Sequence, residues 1–262
     1  MNVQVLIVTM NQRDYTLLQK MNIQTNAIVG NQCDRNEIAE FEYENHHVKW
    51  MSFNEVGVGL NRNNVLMRAT DDIVLFADDD VVYFNDYEKT IIDYYKKNPK
   101  ADIVIFNFKM RRGEKDFRER VIREGKLTRK SATQYGTYCI SARREKIRFA
   151  NIYFHQDFGG GTRFSNGEDS IFLQDCFKKK LNVYATKSLI GVLDHGESTW
   201  FKGYNDKFFY DKGVLFSLLF PKVPRVCALI HCIKQIKLYM EYGWLRAYRQ
   251  MKKGIRYKKR DL

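Results

Sequence analysis

The chain has 262 residues, 44% of them apolar, with 18 Phe and 16 Tyr, enough material for one sizeable core or two small ones. No uninterrupted apolar run approaches the roughly 20 residues needed to cross a bilayer, and five scattered cysteines without a CxxC pair (Cys33, Cys139, Cys176, Cys227 and Cys232) argue against a disulfide framework or a zinc site. The net charge of +13 is unevenly placed: residues 222–262 carry 12 Lys and Arg against Glu241 and Asp261, so the basicity belongs to the tail, where it suggests an appendage that docks on something anionic.

The apolar sequence begins almost at once with "VQVLIVT" at 3–9, without a leader pattern before it, so a cytoplasmic chain is expected. Further near-continuous apolar runs follow in "NAIVGNQ", "VKWMSF", "IVLFA" and "DIVIFNF". They read as strands covered on both faces. Helical patterns lie between them, around Tyr15 to Met21, Leu60 to Ala69 and Tyr87 to Lys97, the last stopped by Asn98-Pro99. Strand and helix in alternation predict a mostly parallel, twisted sheet with helices on both faces, whose ligands sit beyond the carboxyl ends of the strands.

Residues 111–136, with nine Lys and Arg, four acids and no sustained period, read as a surface excursion with a short helix inside. A strand-like "YGTYCIS" then leads to the Gly-rich loop "FGGGTRFSNGED", a helical run "SIFLQDCFKKK", and two strands, "NVYAT" and "LIGVL". From Pro224 onward, apolar residues at helical spacing predict one long amphipathic helix, bent or broken near Gly243. The organisation expected is a domain over 1–221, in two halves at 1–110 and 111–221, followed by a basic helical tail at 222–262.

The stretch "DDIVLFADDDVVYF", 71–84, runs five apolar residues into three adjacent carboxylates. Alternation along extended chain points Asp78 and Asp80 one way and Asp79 the other, about 6 to 7 Å separating the outer two along the backbone. Two such charges about 5.5 Å apart repel by roughly 3 kcal/mol at an effective dielectric of about 20. A cation is therefore expected near them, and a hard divalent ion suits oxygen ligands, commonly one or two carboxylates completed by substrate phosphates. An acidic turn exposed to water is the alternative.

"GVGLNRNNVLMRATDDIVLFADDDVVY", 57–83, resembles the nucleotide-sugar half of family 2 glycosyltransferases of the GT-A fold. "IVTMNQR" at 7–13 is similar to that family's opening strand and loop, and "GEDSIFLQDCFKKK" at 167–180 to its Gly-Glu-Asp acceptor motif. The resemblance implies a nucleotide pocket lined by Thr9, Asn11 and Arg13, base reading by Asn31 or Asp34, and a Gly and Arg-Asn pair at Gly59, Arg62 and Asn63. "GNQCDRN" departs from the family's usual ending of the second strand. The resemblance assigns Asp78 and Asp80 to the DxD motif, Asp79 lying between them, with Asp80 as metal ligand and Asp78 on the ribose or a metal-bound water.

By the same resemblance the donor is a nucleotide-diphosphate sugar, a UDP-sugar in the first instance, with Mg²⁺ or Mn²⁺ across its phosphates. Asp169 is the implied general base and Glu168 positions the acceptor, although acids in a first helical turn also complement the helix dipole without any catalytic role. His195, after a strand, is either a late metal ligand or structural. The Gly159 to Gly161 run either lets a loop approach the substrate or serves as a plain turn. Trp200, Phe201 and Tyr204 offer an aromatic face to a sugar or pack in the core.

The function implied is an inverting transfer of one sugar to a hydroxyl of a glycan, lipid-linked, in cell-surface polysaccharide synthesis. The basic tail at 222–262 either holds the enzyme on an anionic membrane's inner face or packs on its own domain. A metal-dependent phosphohydrolase or nucleotidyltransferase would also use acids at strand ends, but the first strand ends in "VTMNQR" without an acid. A nucleic-acid binder would use the basic tail and leave the paired acids unexplained, so no nucleic-acid partner is expected.

Overall fold

A computed structural model describes residues 1–112, 116–132, 134–194 and 203–257 of the protein. The amino-terminal half runs β1 (Val3–Met10), α1 (Leu17–Lys20), β2 (Asn26–Gln32), β3 (Glu37–Tyr43), β4 (His46–Phe53), α2 (Val58–Met67), β5 (Ile73–Asp78), β6 (Val81–Tyr83), α3 (Tyr87–Lys97) and β7 (Ile103–Arg112). Then come β8 (Asp116–Glu119), β9 (Gly125–Lys126), α4 (Arg129–Ala132), a 3-10 turn at Thr137–Cys139, β10 (Ile140–Arg143), α5 (Arg144–Ala150), α6 (Glu168–Lys178) and β11 (Val183–Leu193). Three helices follow, α7 (Asp206–Leu219), α8 (Pro224–Lys234) and α9 (Trp244–Ile255).

The strands form one mixed, mostly parallel sheet in the order β3-β4-β2-β1-β5-β10-β7-β11-β6, with β8 paired to β7 and β9 to β11. Strands β4, β2, β1 and β5 are mutually parallel neighbours, as are β7 and β11. Short β10 runs antiparallel between β5 and β7 and joins the two parallel groups. The apolar runs are buried as expected: every residue of β1 but Met10 is buried. Its one polar member near the start, Gln4, is satisfied by accepting from the Thr70 backbone N–H at 2.9 Å. Helix α2 packs on β1 and β2, α3 on β1 and β11, and α5 on β10.

Several elements differ from the sequence expectation. Strand β3, the acid-rich "EIAEFEY", is an antiparallel edge in which Ala39, Phe41 and Tyr43 pack on the core while Glu37, Glu40 and Glu42 face water. "NVYAT" and "LIGVL" are one strand, β11, whose register on β7 shifts between Ala185 and Gly191. The tail helix is broken at Gly243 as expected, but the interruption is longer than one residue: α8 ends at Lys234, and α9 starts after Gly243, which takes a φ of 88°.

These helices pack on α7 through one cluster containing Phe209, Phe216, Ala228, Cys232, Tyr239, Ala247 and Met251. The expected boundary at 221/222 thus falls between helices that share a core. A Cβ on Gly213 of α7 would lie 2.1 Å from the Met251 carbonyl oxygen, and one on Gly254 of α9 would lie 2.0 Å from that of Tyr210. Only hydrogen on those carbons allows the α7 and α9 backbones to meet so closely. All five cysteines are free thiols, three of them buried, in keeping with packing roles.

Candidate active site

The parallel strands deliver polar side chains to one edge of the sheet. Thr9 pairs with Asn31 across β1 and β2, and Val8 with Asp78 across β1 and β5, so these chain ends lie side by side. Beyond them opens a cavity of about 790 Å³, lined among others by Thr9, Arg62, Asp78, Asp79, Asp80, Gly160, Glu168, Asp169 and Lys212. Its size falls within the range of about 300 to 1,000 Å³ usual for small-molecule sites.

Strand alternation does not separate the acidic triplet as expected. β5 ends at Asp78, and Asp79 and Asp80 lie in the turn that follows, so all three line the cavity. Asp79 accepts from the Thr9 hydroxyl at 2.5 Å. Burial, and then the charges of Asp78 and Asp80, hold its carboxyl above the ordinary carboxylate range in spite of that bond.

Arg62 joins the two acidic motifs. It is buried, donating from Nη2 to Asp78 Oδ1 and from Nη1 to Glu168 Oε1, each at 2.7 Å. The two carboxylates hold its pKa above the arginine value against the opposing effect of burial. A guanidinium spans two carboxylates 106 residues apart in sequence because its planar fork presents N–H groups in two directions. Arg62 is thus a strut between the two acidic motifs.

The second acidic pair opens α6. Gly167 takes a φ of 118°, and a Cβ there would lie 2.6 Å from the Leu215 side chain, so glycine is needed both for the turn and for packing against α7. Glu168 is fixed by Arg62, and a Cβ on Gly159 would lie 2.8 Å from its carboxylate, so the Gly159 to Gly161 run admits that side chain. Asp169 accepts from the Ser170 N–H at 2.6 Å. Burial, and then the adjacent Glu168, push its carboxyl up to about 6, against the lowering influence of that bond, Arg62 and Lys212.

Lys212 of α7 also lines the cavity, lowered in pKa by burial and supported by Asp169. Sequence reasoning missed it, since a lone Lys inside "NDKFFYDKGVLF" has no motif. It missed Gln12 too, which donates from Nε2 to the Thr9 hydroxyl oxygen at 2.9 Å and so extends the Asp79 chain outward.

The other residues expected at the site lie as follows. Buried Asn31 accepts from the Gln12 N–H and donates to the Gln12 carbonyl, each at 3.0 Å, and donates to the Ser52 hydroxyl at 3.1 Å, so it fixes the loop after β1. Asn63 holds the Phe154 backbone by two bonds of 2.8 Å. Gly59 lets α2 pass the 155 backbone, where a Cβ would lie 2.4 Å from a carbonyl oxygen. Asn11 and Asp34 are exposed and do not line the cavity. Arg13 borders a separate cavity of about 320 Å³ with Arg35 and Trp50. Tyr204 packs against Phe208, Phe209 and Tyr239. His195, Trp200 and Phe201 lie outside the described residues.

The triplet's all-oxygen donor set suits a hard divalent cation. One oxygen of Asp78 is bound to Arg62 and one of Asp79 to Thr9. Among the described residues no group of three or more His, Cys, Asp or Glu is gathered to hold a metal ion. The residues therefore fit an ion of the Mg²⁺ type that takes one or two carboxylates and completes its shell with substrate phosphates.

Among solved structures, S. aureus TarS 1–349 in complex with UDP-GlcNAc matches at a TM-score of 0.61 and 16% identity, over 83% of this chain and 66% of that one. The same protein with UDP gives 0.61 and 14%, over 84% and 64%. The chain therefore spans just under two thirds of TarS 1–349. The mannosyltransferase PcManGT from Pyrobaculum calidifontis, in complex with GDP-Man and Mn²⁺, matches at 0.51 and 11% identity, over 96% of this chain and 73% of that one. No curated protein sequence matches. Likeness at these identities shows a common fold, the GT-A arrangement expected from the motifs. The sequence profile of glycosyl transferase family 2 matches residues 32–166, just over half of the chain and the segment that carries Arg62 and the acidic triplet, and the chain belongs to that family.

Proposed function

We propose that the protein transfers a sugar from a nucleotide-diphosphate sugar to a hydroxyl of a glycan acceptor, with inversion at the anomeric carbon. The observation that carries this reading is Asp169, half-buried on the wall of the same cavity as Asp78 to Asp80, with its carboxyl pushed up to about 6. A general base works best with a pKa near the operating pH, ionised yet basic enough to accept a proton. In the proposed step Asp169 takes the proton from the acceptor hydroxyl while that oxygen attacks the anomeric carbon and the bond to the diphosphate breaks. Glu168, held by Arg62, positions the acceptor. Lys212 faces the same space and would counter charge on the diphosphate.

Asp80 and Asp78 would hold the divalent ion, Mg²⁺ or Mn²⁺, which when bound offsets charge on the leaving diphosphate. That TarS and PcManGT are solved with UDP-GlcNAc, UDP and GDP-Man, the last with Mn²⁺, supports a nucleotide-sugar donor and a divalent ion. We take a UDP-sugar as donor, and a lipid-linked acceptor in surface-polysaccharide synthesis at the inner face of the cell membrane. Family membership favours sugar transfer over phosphate-ester chemistry at the same acids.

The test is turnover of a panel of nucleotide sugars with Mn²⁺ by the wild type and by Asp80→Ala and Asp169→Asn. Both variants are expected to lose transfer, Asp80→Ala also losing metal-stimulated donor hydrolysis. Wild-type transfer rates in both would refute the assignment.

A further inference from the structure

The carboxy-terminal helices differ in what they do with their apolar residues. α9 spends its apolar side against α7, where Ala247, Met251 and Gly254 are buried. α8 has two sides. Ala228 and Cys232 are buried toward α7, and His231 packs on Phe216 and bonds the Tyr239 hydroxyl at 2.9 Å. Val226, Ile230 and Ile233, with Val223 just before the helix, are instead 48% to 54% exposed. At about 3.6 residues per turn these four fall on one stripe roughly opposite the buried residues. The stripe continues into the connection to α9 with Leu238 and Met240, 52% and 72% exposed.

An exposed apolar stripe along a whole helix is not what a solvated helix shows. Its border is cationic: Lys222, Arg225, Lys234 and Lys237 are all exposed, and Glu241 is the one acid in 222–257. Among the described residues no helix is long and apolar enough to cross a membrane. An apolar face rimmed by Lys and Arg on a helix too short to span is the pattern of an element lying in the plane of an interface. A protein partner of matching shape would satisfy the apolar stripe alone. The cationic rim adds complementarity to an anionic surface.

We propose that α8 docks on an anionic lipid surface through Val223, Val226, Ile230 and Ile233, with Lys222, Arg225, Lys234 and Lys237 on the headgroups. This locates contact on α8 and leaves α9, which carries much of the tail's charge, as the clamp that holds α8's partner helix α7. It stands independently of the sugar-transfer chemistry.

The test is flotation of the full chain with phosphatidylcholine vesicles and with vesicles containing phosphatidylglycerol. The wild type is expected to float with the anionic vesicles and much less with the neutral ones. Ile230→Asp/Ile233→Asp, which alters exposed positions only, should weaken partitioning by at least about tenfold while keeping the wild-type circular dichroism spectrum. Arg225→Gln/Lys234→Gln/Lys237→Gln should lose the preference for anionic over neutral vesicles. Failure of the wild type to float with anionic vesicles overturns the proposal, as does flotation of the Asp double variant like wild type. A dimer in sedimentation velocity that the Asp variant dissolves, together with no vesicle binding, would assign the stripe to a second copy of the chain instead. Donor hydrolysis is measured without lipid, so loss of docking and loss of the transfer reaction are read separately.

Discussion

Replacing Asp169 by Asn should remove transfer and at the same time stabilise the fold, by an amount that depends on pH. Asn has nearly the same shape and its side-chain oxygen can still accept from the Ser170 N–H, so the change is chiefly one of charge. In the folded protein the Asp169 carboxyl lies at about 6 against an ordinary 3.8, raised first by burial and then by Glu168. A carboxyl raised in the folded state binds its proton more tightly there than in the unfolded chain. Its ionisation therefore costs nothing below the unfolded value, a growing amount between 3.8 and about 6, and the full amount above. A rise of that size corresponds to about 3 kcal/mol. Chemical denaturation at about pH 8 should show the Asn variant more stable by up to that figure, and at about pH 4 the two proteins should unfold at similar denaturant concentrations. Equal stability at the higher pH, or a difference that does not change with pH, would refute the argument that Asp169 is a desolvated base.

Three further outcomes follow from the scaffold. Arg62→Met breaks the strut and leaves Asp78 and Glu168 facing each other, which should cost about 3 to 5 kcal/mol in a melting experiment. Because Arg62 lowers the Asp169 pKa, the acidic limb of any residual pH–rate profile should move to higher pH, and an unmoved limb would count against the coupling. Asn63→Ala removes two bonds to buried Phe154 backbone groups and should cost about 1 to 3 kcal/mol. It should leave KM for the donor unchanged, and a raised donor KM at normal stability would return Asn63 to the nucleotide. Gly254→Ala drives a Cβ into the Tyr210 carbonyl of α7 and should lower Tm through about 1 to 3 kcal/mol of overpacking; an unchanged Tm would mean the two helices can separate without cost.

The sheet was legible where burial dictates composition. β1, β2, β4, β5 and β7 are long apolar runs because parallel strands are covered on both faces, and α3 could be read to its last residue because Asn98-Pro99 stops it. β3 escaped because an edge strand shows water one face, which here carries Glu40 and Glu42. At the site, the acids at 78–80 and 168–169 stood out as charges where apolar sequence was due. The roles of their neighbours did not: Arg62, Asn63 and Asn31 are polar residues on a buried edge, and only three-dimensional contacts decide whether such a group meets a ligand, another side chain or a backbone. Asp79 was misread for a narrower reason, that side-chain alternation holds only while the chain stays extended, and β5 stops at Asp78.

The close crossing of α7 and α9 at Gly213 and Gly254 gives the molecule a mechanical property. Lys212 and Leu215, on the wall of the cavity, sit on the same helix whose backbone is locked against α9 and whose other side carries α8. At that crossing two carbonyls stand where side chains would otherwise lie, so the two backbones meet with nothing between them. Whatever surface holds α8 therefore sets the bearing of the cavity mouth, much as a vise sets the angle of the workpiece. Trimming the chain after residue 221 would take away the vise itself, not an ornament on it.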